Sequence, residues 1–377
     1  MKNKQILFIL PKLNAGGVGQ VVKALCKEYR QKGHGVTILS LTKRQEIDHH
    51  IAKYYADLGA DIHHLPFKKT GLLTFIGSFF MLLNYFVWHR KYNLILIPAI
   101  YNAIVTIPAA KLALHRAKII VNAHTAVSQY LQTQGRIKRA IFSTSKLILP
   151  FADVVANDSK GATKDLKKCL SLKKVRTLYN PGCTVEDLNY TSTVAPHPWL
   201  DDKKLTVFVA CGRFVASKNF SFMLSVFAEL HKSNKNLRLI ILGYGEEEQK
   251  LKAQAVELEL SDVVSFEGHV TNVKDYMYHA NYFWLTSKFE GFSIVLAEAL
   301  SMGTACIANN CPYGPKEVLD GGKYGLLVDD YEIEHNVKEI KAFIKRPAKD
   351  KSHYRERAEK FTSTKMATAY LNSVNVS

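Results

Sequence analysis

Cysteine is scarce in this sequence and follows no recognisable pattern. Six cysteines are spread over 377 residues, and no C-x-x-C pair occurs. This distribution excludes a disulfide-stabilised extracellular scaffold and predicts reduced thiols in a cytoplasmic protein. The first apolar stretch, Ile6–Leu10, is too short for the hydrophobic part of a secretion signal.

Acidic residues are scarce in the first half of the chain. Residues 1–200 carry 28 Lys and Arg against 10 Asp and Glu, whereas residues 201–377 carry 23 of each. The entire net charge of +18 therefore lies in the first 200 residues, and residues 101–150 hold seven bases and no acid. A one-sided basic field favours an anionic partner, which is a nucleic acid, a membrane surface or a phosphorylated substrate. Solubility alone is the alternative explanation.

Residues 70–88 form an uncharged run that is long enough to span a membrane. We exclude a span because the strands predicted at 61–65 and 93–97 belong to one sheet, which must lie on one side of a bilayer. Two interpretations stay open, a buried crossover helix and a helix lying in a membrane interface. Four flanking bases suit the anionic inner face of the cytoplasmic membrane: Lys68, Lys69, Arg90 and Lys91.

Short apolar strands alternate with helical stretches along the whole chain, which predicts parallel, doubly wound sheets in an α/β protein. At about 150 residues per domain, the length predicts two domains. In the first half the predicted strands are Gln5–Leu10, Val36–Leu41, Asp61–Leu65, Asn93–Ile97, Lys118–Ala123 and Asp153–Ala156. In the second half they are Leu205–Cys211, Leu237–Leu242, Val263–Phe266, Tyr282–Thr286, Ala305–Ala308 and Tyr324–Val328.

The domain boundaries follow from a stretch that lacks hydrophobic periodicity. We expect a Rossmann-like domain over residues 1–183, a linker with two prolines over residues 184–202, and a second Rossmann-like domain over residues 203–350. The remaining residues, 351–377, are predicted to form a helix that returns towards the first domain.

Two glutamates eight residues apart give the densest chemical signal. Glu290 precedes a helix predicted to start near Phe292, and Glu298 is placed about two turns inside that helix. Eight helical residues cover roughly 12 Å, comparable to the span from the sugar to the ribose of a nucleotide diphosphate-sugar. The amides of Gly291, Phe292 and Ser293 lie between the acids, at a helix end that attracts phosphate. The alternative is a capping Glu290 and a solvated Glu298.

Basic and glycine-rich turns follow the strands of the second domain. Gly212-Arg213-x4-Lys218 offers a guanidinium fork and an ammonium for phosphate oxygens, although a plain surface pair is the alternative. Gly243-Tyr244-Gly245 opens a helix as nucleotide-binding turns do, but it lacks the third glycine of a dinucleotide motif.

Neither a cofactor nor a metal is expected. Gly16-Gly17 follows the first strand without the dinucleotide spacing, and no acid ends the second strand, so NAD is not indicated. The pairs His49-His50 and His63-His64 lack metal-ligand spacing, and the chain contains no D-x-D. His124 follows a parallel strand at the edge where such folds bind ligands, although a structural histidine is the alternative.

Taken together, these motifs resemble a family 4 retaining glycosyltransferase with the GT-B fold, in which two Rossmann-like domains face each other across a cleft. The resemblance covers nearly the whole chain. The matching pieces are Gly16-Gly17, His124, Tyr179-Asn180-Pro181-Gly182, GRFVASKN (212–219), LGYGEE (242–247), VSFEGHV (264–270), EGFSIVLAEALSMG (290–303), Glu317 and YGLLV (324–328). Gly314-Pro315-Lys316-Glu317 departs from the two glycines common in the family and resembles a bacterial subset that builds surface polysaccharides.

The resemblance implies a role for each matching position. Arg213, Lys218 and Gly212 would meet the donor diphosphate. Glu298 would bind the ribose and Glu290 the hexose hydroxyls, while the amides of Phe292, Ser293 and Ile294 would contact phosphate and sugar. The base would lie near Gly243 and Val270. In the first domain, Gly16 and Gly17 would let a loop approach the donor phosphate, and His124 would contact the donor sugar.

The sequence therefore predicts a metal-independent, retaining glycosyltransferase without a cofactor. The expected donor is a UDP-hexose or UDP-N-acetylhexosamine, and the expected acceptor is a lipid-linked or envelope glycan at the inner face of the cytoplasmic membrane. One alternative is a GT-B-fold epimerase of a UDP-amino sugar, which would need further carboxylates from the first domain. A nucleic-acid-binding protein is the other, but it explains neither the paired glutamates nor the G-R-x4-K motif.

Overall fold

The computed structural model describes residues 3–13, 16–41, 49–65, 72–132, 134–347 and 349–375. The chain forms two units, Met1–Pro181 together with Ser363–Ser377, and Gly182–Thr362. Each unit contains one parallel sheet with helices around it, as the alternation of strands and helices predicts.

The first unit has a seven-stranded sheet with the order β3-β2-β1-β4-β5-β6-β7. Its elements are β1 Gln5–Leu10, α1 Gly17–Gln31, β2 Gly35–Ser40, α2 His49–Asp57, β3 Asp61–His64, α3 Leu72–Trp88, β4 Leu94–Ile97, α4 Ile100–Leu112, β5 Lys118–Asn122, α5 Val127–Gln132, α6 Arg136–Ile148, β6 Val154–Asn157, α7 Lys160–Cys169 and β7 Arg176–Thr177. Right-handed crossovers place α3, α4 and α6 on one face of the sheet and α1 on the other. α3 packs against α4, and α4 packs against α6. Helices thus cover both faces, which explains why the central strands are apolar throughout.

The second unit has a six-stranded sheet with the order β10-β9-β8-β11-β12-β13. Its elements are α8 Pro198–Asp201, β8 Thr206–Cys211, α9 Phe220–Ser233, β9 Leu237–Leu242, α10 Glu248–Glu257, β10 Val264–Gly268, α11 Val273–His279, β11 Tyr282–Leu285, α12 Ile294–Ser301, β12 Ala305–Asn309, α13 Pro315–Val318, β13 Gly325–Val328, α14 Ile333–Ile344 and α15 Lys351–Ala358. The chain order reverses between β8 and β11, so the carboxyl ends of these strands form the switch point where α/β sheets bind ligands.

The unit boundaries differ from the predicted ones in two places. The predicted linker, residues 184–202, belongs to the second unit, where Tyr190 donates a hydrogen bond to Asp275 at 2.7 Å. Of the predicted returning segment, residues 351–377, only those from Ser363 onward join the first unit, as helix α16 (Ser363–Ser373) packed on α1. α15 instead packs on α12 in the second unit. The predicted linker is held on the second unit by polar contacts such as that of Tyr190 with Asp275. Such contacts leave no hydrophobic periodicity in the sequence.

The uncharged run at 70–88 contains helix α3, and α3 has two apolar sides. Leu82, Tyr85 and Phe86 are buried in the core, whereas Phe80 and Trp88 are mostly exposed. The fully buried alternative therefore applies to only one side of the helix. Within the described ranges no helix is both long and apolar enough to cross a bilayer. The predicted flanking residues Lys68 and Lys69 lie outside the described residues.

Candidate functional site

Backbone hydrogen bonds connect the turns that follow β8, β9 and β10 at the carboxyl edge of the second sheet. Gly212 N–H donates to Leu242 O at 3.0 Å, and Gly243 N–H donates to Gly268 O at 2.7 Å. Gly243 has φ +134°, and a Cβ there would lie 1.9 Å from the carbonyl oxygen of Gly212. Packing of the three turns is therefore enough to explain why position 243 is a glycine.

Two other predicted glycines are not required by the packing of the described residues. A Cβ on Gly212 would have no heavy atom closer than 3.6 Å, and one on Gly17 would meet nothing within 4 Å. Gly17 opens α1 and is exposed, as is the preceding Gly16. Since space for a side chain exists at Gly212 and Gly17, their small size is consistent with the close approach of a ligand.

The structure brings two of the predicted residues, Lys218 and Glu290, into direct contact. Lys218 Nζ lies 2.6 Å from Glu290 Oε1, and the Ser287 hydroxyl donates to the same oxygen at 2.7 Å. Lys288 N–H donates to Ser217 O at 2.8 Å, which joins the two loops that carry the pair. Both charged side chains are largely buried, with 25% and 13% of their surface exposed. The G-R-x4-K motif and the first glutamate thus form one local site.

Arg213 lies on the same β8–α9 turn as Lys218 but is exposed. It makes no ion pair with any residue that the structure describes. Its guanidinium is therefore available for an external anion, as the phosphate-binding prediction requires.

The helix after Glu290 begins later than the sequence predicts. α12 starts at Ile294, two residues beyond the predicted start at Phe292, because Ser293 has a left-handed backbone with φ +69°. Glu298 is therefore about one turn inside α12 and not two, and the helical span of roughly 12 Å between the two acids does not apply. Leu296 N–H donates to Ser293 O at 3.1 Å, whereas the N–H groups of Ile294 and Val295 at the start of α12 remain suited to an anion.

Ser293 is itself an unusual feature at this helix start. Its side chain is buried, and its hydroxyl has no hydrogen-bond partner among the described residues. A left-handed serine with an unsatisfied buried hydroxyl costs free energy, a pattern that concentrates at functional sites. Gly314 has φ +65°, and a Cβ there would lie 2.8 Å from the backbone of Phe292. The segment 314–317, which departs from the two glycines common in the family, therefore retains a glycine at the position that packs against the backbone of Phe292.

Glu298 is half-buried, and burial raises its pKa to about 7. The positive charge of Lys274 acts against this rise, and the negative charge of Asp187 adds to it. Asp187 itself pairs with Lys274. At neutral pH the Glu298 carboxyl is therefore present in both protonation states, so it can accept or donate a hydrogen bond to a polyol.

Glu298→Gln is expected to remove a pH dependence of stability. The folded pKa of Glu298, about 7, lies above the ordinary pKa of a glutamate, so the folded state binds this proton more tightly than the unfolded state. Stability from this group is fully present below the unfolded pKa and decreases as pH rises towards about 7. The variant should lack that decrease, measured as urea midpoints at about pH 5 and about pH 8. Glu229→Gln, an exposed acid on α9, is the control, and equal pH dependence of wild type and Glu298→Gln would contradict the assignment.

In the first unit, His124 follows β5 with φ +50°, and its side chain is almost completely buried. Its Nδ1 lies 4.0 Å from Asp158 Oδ2, and the Asn180 amide donates to the same carboxylate oxygen at 3.0 Å. Burial lowers the pKa of His124 to about 4, although a hydrogen bond with Asn180 acts in the opposite direction. The imidazole is therefore neutral at physiological pH.

Several polar residues near the predicted positions were not assigned a role from the sequence. Ser287 donates to Glu290, Asp158 lies beside His124, and Tyr244 is 57% exposed, with its ring centroid 5.8 Å from that of His269. Val270, predicted near the base, is half-buried just after β10. Asn180, which donates to Asp158 beside His124, belongs to the Y-N-P-G motif. That motif was therefore the sequence feature from which the polar surroundings of His124 could have been predicted.

The histidine pairs show no metal-binding arrangement. His63 Nδ1 is hydrogen-bonded to the Tyr85 hydroxyl at 2.7 Å, which gives it a structural partner. Within the part of the chain that the structure describes, no group of three His, Cys, Asp or Glu side chains is placed to hold a metal ion.

Comparison with known proteins identifies two family models. Residues 15–181 match the model described as Glycosyltransferase Family 4, and residues 194–361 match Glycosyl transferases group 1. The two matches do not overlap and together cover most of the chain.

Individual relatives are named as glycosyltransferases. The chain is 32% identical over 185 residues to an N-acetylgalactosamine-N,N'-diacetylbacillosaminyl-diphospho-undecaprenol 4-alpha-N-acetylgalactosaminyltransferase of Campylobacter jejuni, covering 48% of each chain. It is 21% identical to the amylovoran biosynthesis glycosyltransferase AmsD of Erwinia amylovora, covering 85% of this chain and 83% of AmsD. The chain thus spans about half the length of the Campylobacter relative.

A solved structure of Anabaena HepE in complex with UDP and glucose matches over 100% of both chains, with a TM-score of 0.81 and 17% identity. At this identity the likeness shows the GT-B fold alone, and it agrees with the two parallel sheets described above.

Proposed function

Because the chain belongs to the family 4 glycosyltransferases, we propose that it transfers a sugar from a nucleotide diphosphate-sugar to a glycan acceptor. The observation that carries this proposal is the contact between Lys218 and Glu290 at 2.6 Å. A charge for phosphate and a carboxylate for sugar hydroxyls meet there, at the switch point of the second sheet.

The proposed donor is a UDP-hexose or UDP-N-acetylhexosamine, and the proposed acceptor is a lipid-linked or envelope glycan. Two comparisons support this choice. The Campylobacter relative is named for a diphospho-undecaprenol acceptor, and the Anabaena structure contains UDP and glucose.

Arg213 and Lys218 are proposed to neutralise the charge that develops on the leaving diphosphate, together with the first N–H groups of α12. Glu298 is proposed to bind the ribose and Glu290 the hexose hydroxyls. His124 is proposed to contact the donor sugar as a neutral imidazole. We further propose transfer with retention of the anomeric configuration, in which the leaving phosphate takes the acceptor's proton.

A donor screen tests this function. Purified protein is incubated with UDP- and GDP-sugars, with and without a pool of bacterial lipid extract, and nucleotide diphosphate release is measured. Acceptor-dependent release of UDP from one sugar is the expected result. Epimerisation of a UDP-amino sugar without acceptor would establish the alternative enzyme, and no release from any sugar would contradict both.

Activity is expected to survive EDTA. The chain lacks D-x-D, and Arg213, Lys218 and the start of α12 supply positive charge in the place of a divalent cation. Initial rates with EDTA and with added Mg²⁺ should agree within about twofold. A complete loss of activity that Mg²⁺ restores would contradict metal independence.

The enzyme is proposed to work at the inner face of the cytoplasmic membrane, as a peripheral protein. The excess of basic residues in the first 200 residues and the apolar outer side of α3 support this location.

A further inference from the structure

One continuous part of the first unit carries no negative side chain. No Asp or Glu stands between Asp61 and Asp153, a stretch of 91 residues, and eleven bases lie within it. The bases are Lys68, Lys69, Arg90, Lys91, Lys111, Arg116, Lys118, Arg136, Lys138, Arg139 and Lys146. This stretch supplies α3, α4 and α6, the helices that pack side by side on one face of the first sheet. Lys91 and Lys118 pair with Asp61 and Asp153. The outer face of the helical layer has a positive field from the exposed bases of α4 and α6, which meet no carboxylate of their own helices: Lys111, Arg136, Lys138, Arg139 and Lys146.

Helix α3 presents a second apolar stripe on the outside of this layer. Ile76, Phe80 and Val87 follow the spacing i, i+4 and i+11, which confines them to one narrow side of a helix. Leu83 lies on the same side but is half-buried and packs partly against the core. Ile76 and Phe80 are 50% and 61% exposed, and Val87 is also exposed. The core is formed by the opposite side of α3, so packing within the first unit does not account for this stripe.

Further exposed apolar residues lie where α3, α4 and α6 end. They are Trp88, Leu112, Leu114, Leu147 and Phe151. Because each of these helices leads into the start of a strand (β4, β5 and β6), their ends share the amino edge of the first sheet. The outer stripe of α3 and these residues form what we call the lipid face.

Leu114 is the most informative of these residues. It has φ +53°, a left-handed conformation that is unfavourable for a non-glycine residue, and its side chain is 78% exposed. The described non-glycine residues with positive φ just after α7 and α10 are polar, Ser171 and Glu259. Neither the backbone nor the core requires leucine at position 114, which indicates contact with an apolar environment outside the chain.

We propose that the lipid face docks onto an anionic bilayer, with α3 lying in the interface and the bases of α4 and α6 at the headgroups. This inference deepens the proposed function by naming the surface through which the enzyme meets its membrane. Apolar burial anchors the helix, and each base near the surface adds electrostatic attraction to acidic lipid. A second copy of this chain is disfavoured because two such faces carry the same charge. Nucleic acid offers nothing to cover the apolar stripe.

Co-sedimentation of the full-length protein with vesicles tests the proposal. The vesicles are pure phosphatidylcholine or phosphatidylcholine mixed with phosphatidylglycerol. We expect binding to the mixed vesicles that weakens with salt but is not abolished, and much weaker binding to the neutral ones. Failure to bind the mixed vesicles at low salt would overturn the proposal.

Paired variants separate the apolar and the charged contributions. Ile76→Ser with Phe80→Ser, and Lys138→Glu with Arg139→Glu, should each weaken vesicle binding by about tenfold or more. Phe79 is unsuitable because it packs against the core. Val256→Ser and Lys250→Glu, exposed positions of the second unit, are the matched controls and should bind as wild type. Equal binding by all variants would place the contact elsewhere.

Two further measurements exclude the other occupants and separate this proposal from the enzymatic one. Sedimentation without vesicles detects self-association, and a salt titration with DNA and RNA detects nucleic-acid binding. If wild type shows self-association or nucleic-acid binding and Phe80→Ser loses it, that partner would replace the bilayer. UDP release with detergent-solubilised lipid extract as acceptor, measured without vesicles, should be unchanged in all of these variants. Vesicle binding that fails while UDP release persists would overturn the lipid face alone.

Discussion

Replacing Arg213 and Lys218 together by alanine is expected to lower kcat/KM for the donor by about 10²-fold or more. A group that stabilises charge in the transition state contributes on this scale when it is removed from a preorganised site. Arg213 is exposed and makes no ion pair with a described residue, whereas Lys218 is paired with Glu290. The arginine should therefore act mainly through the ligand, while the Lys218→Ala change also leaves the largely buried Glu290 carboxylate without its cation.

The two single variants and one control distinguish these effects. Lys232→Ala with Lys250→Ala removes two bases of the same unit, one of them paired with Glu229 at 2.6 Å, and should leave the rate unchanged. Thermal unfolding checks that the double variant Arg213→Ala, Lys218→Ala is folded, as expected for residues outside the apolar core. A rate near that of wild type in this folded double variant would remove both residues from the donor site.

The fold could be predicted from the sequence because both sheets are covered by helices on their two faces. Strands in such sheets are nearly continuous apolar runs, and each predicted strand lies within two residues of an observed one, with β1 and β9 matching at both ends. A further strand is predicted to end at Tyr179-Asn180-Pro181-Gly182, and the observed one, β7, is only Arg176–Thr177. Edge strands of this length have little hydrophobic signal.

The site was predicted less completely because its decisive features are backbone conformations. The start of α12 depends on Ser293 having a positive φ, and serine carries no marker for that conformation. Glycines pose the same difficulty, since Gly243 is fixed by the carbonyl of Gly212 while Gly17 has open space. Motif spacing treats these glycines alike, and only their surroundings separate a packing role from a ligand role.

The run at 70–88 shows a related limit. A count of apolar residues measures how hydrophobic a helix is but not which of its sides is buried. Both sides of α3 are apolar, so the sequence does not show which side faces the core. Burial of Leu82 and exposure of Phe80, two residues apart, divide the helix into a core side and an outer side.

Glu290→Gln is expected to lower kcat by about 10²- to 10³-fold and to change donor affinity little. Glutamine keeps the shape of the side chain, and its carbonyl oxygen can still accept from Lys218 and from the Ser287 hydroxyl. What is lost is the negative charge proposed to face the sugar ring, where positive charge develops during transfer. Glu298→Gln should show the opposite pattern, with weaker donor binding and a smaller change in kcat, because ribose contacts change little during the reaction.

Glu229→Gln is the matched control, since Glu229 also forms a 2.6 Å pair with a lysine, Lys232, but on the exposed surface of α9. It should leave kcat and KM unchanged. Initial rates over a range of donor concentrations, with donor binding measured by calorimetry, separate the two parameters. Donor binding lost in Glu290→Gln with kcat preserved would exchange the roles of the two acids. Wild-type kinetics in both variants would mean that the Lys218–Glu290 contact is structural, and the proposed donor site would then be wrong.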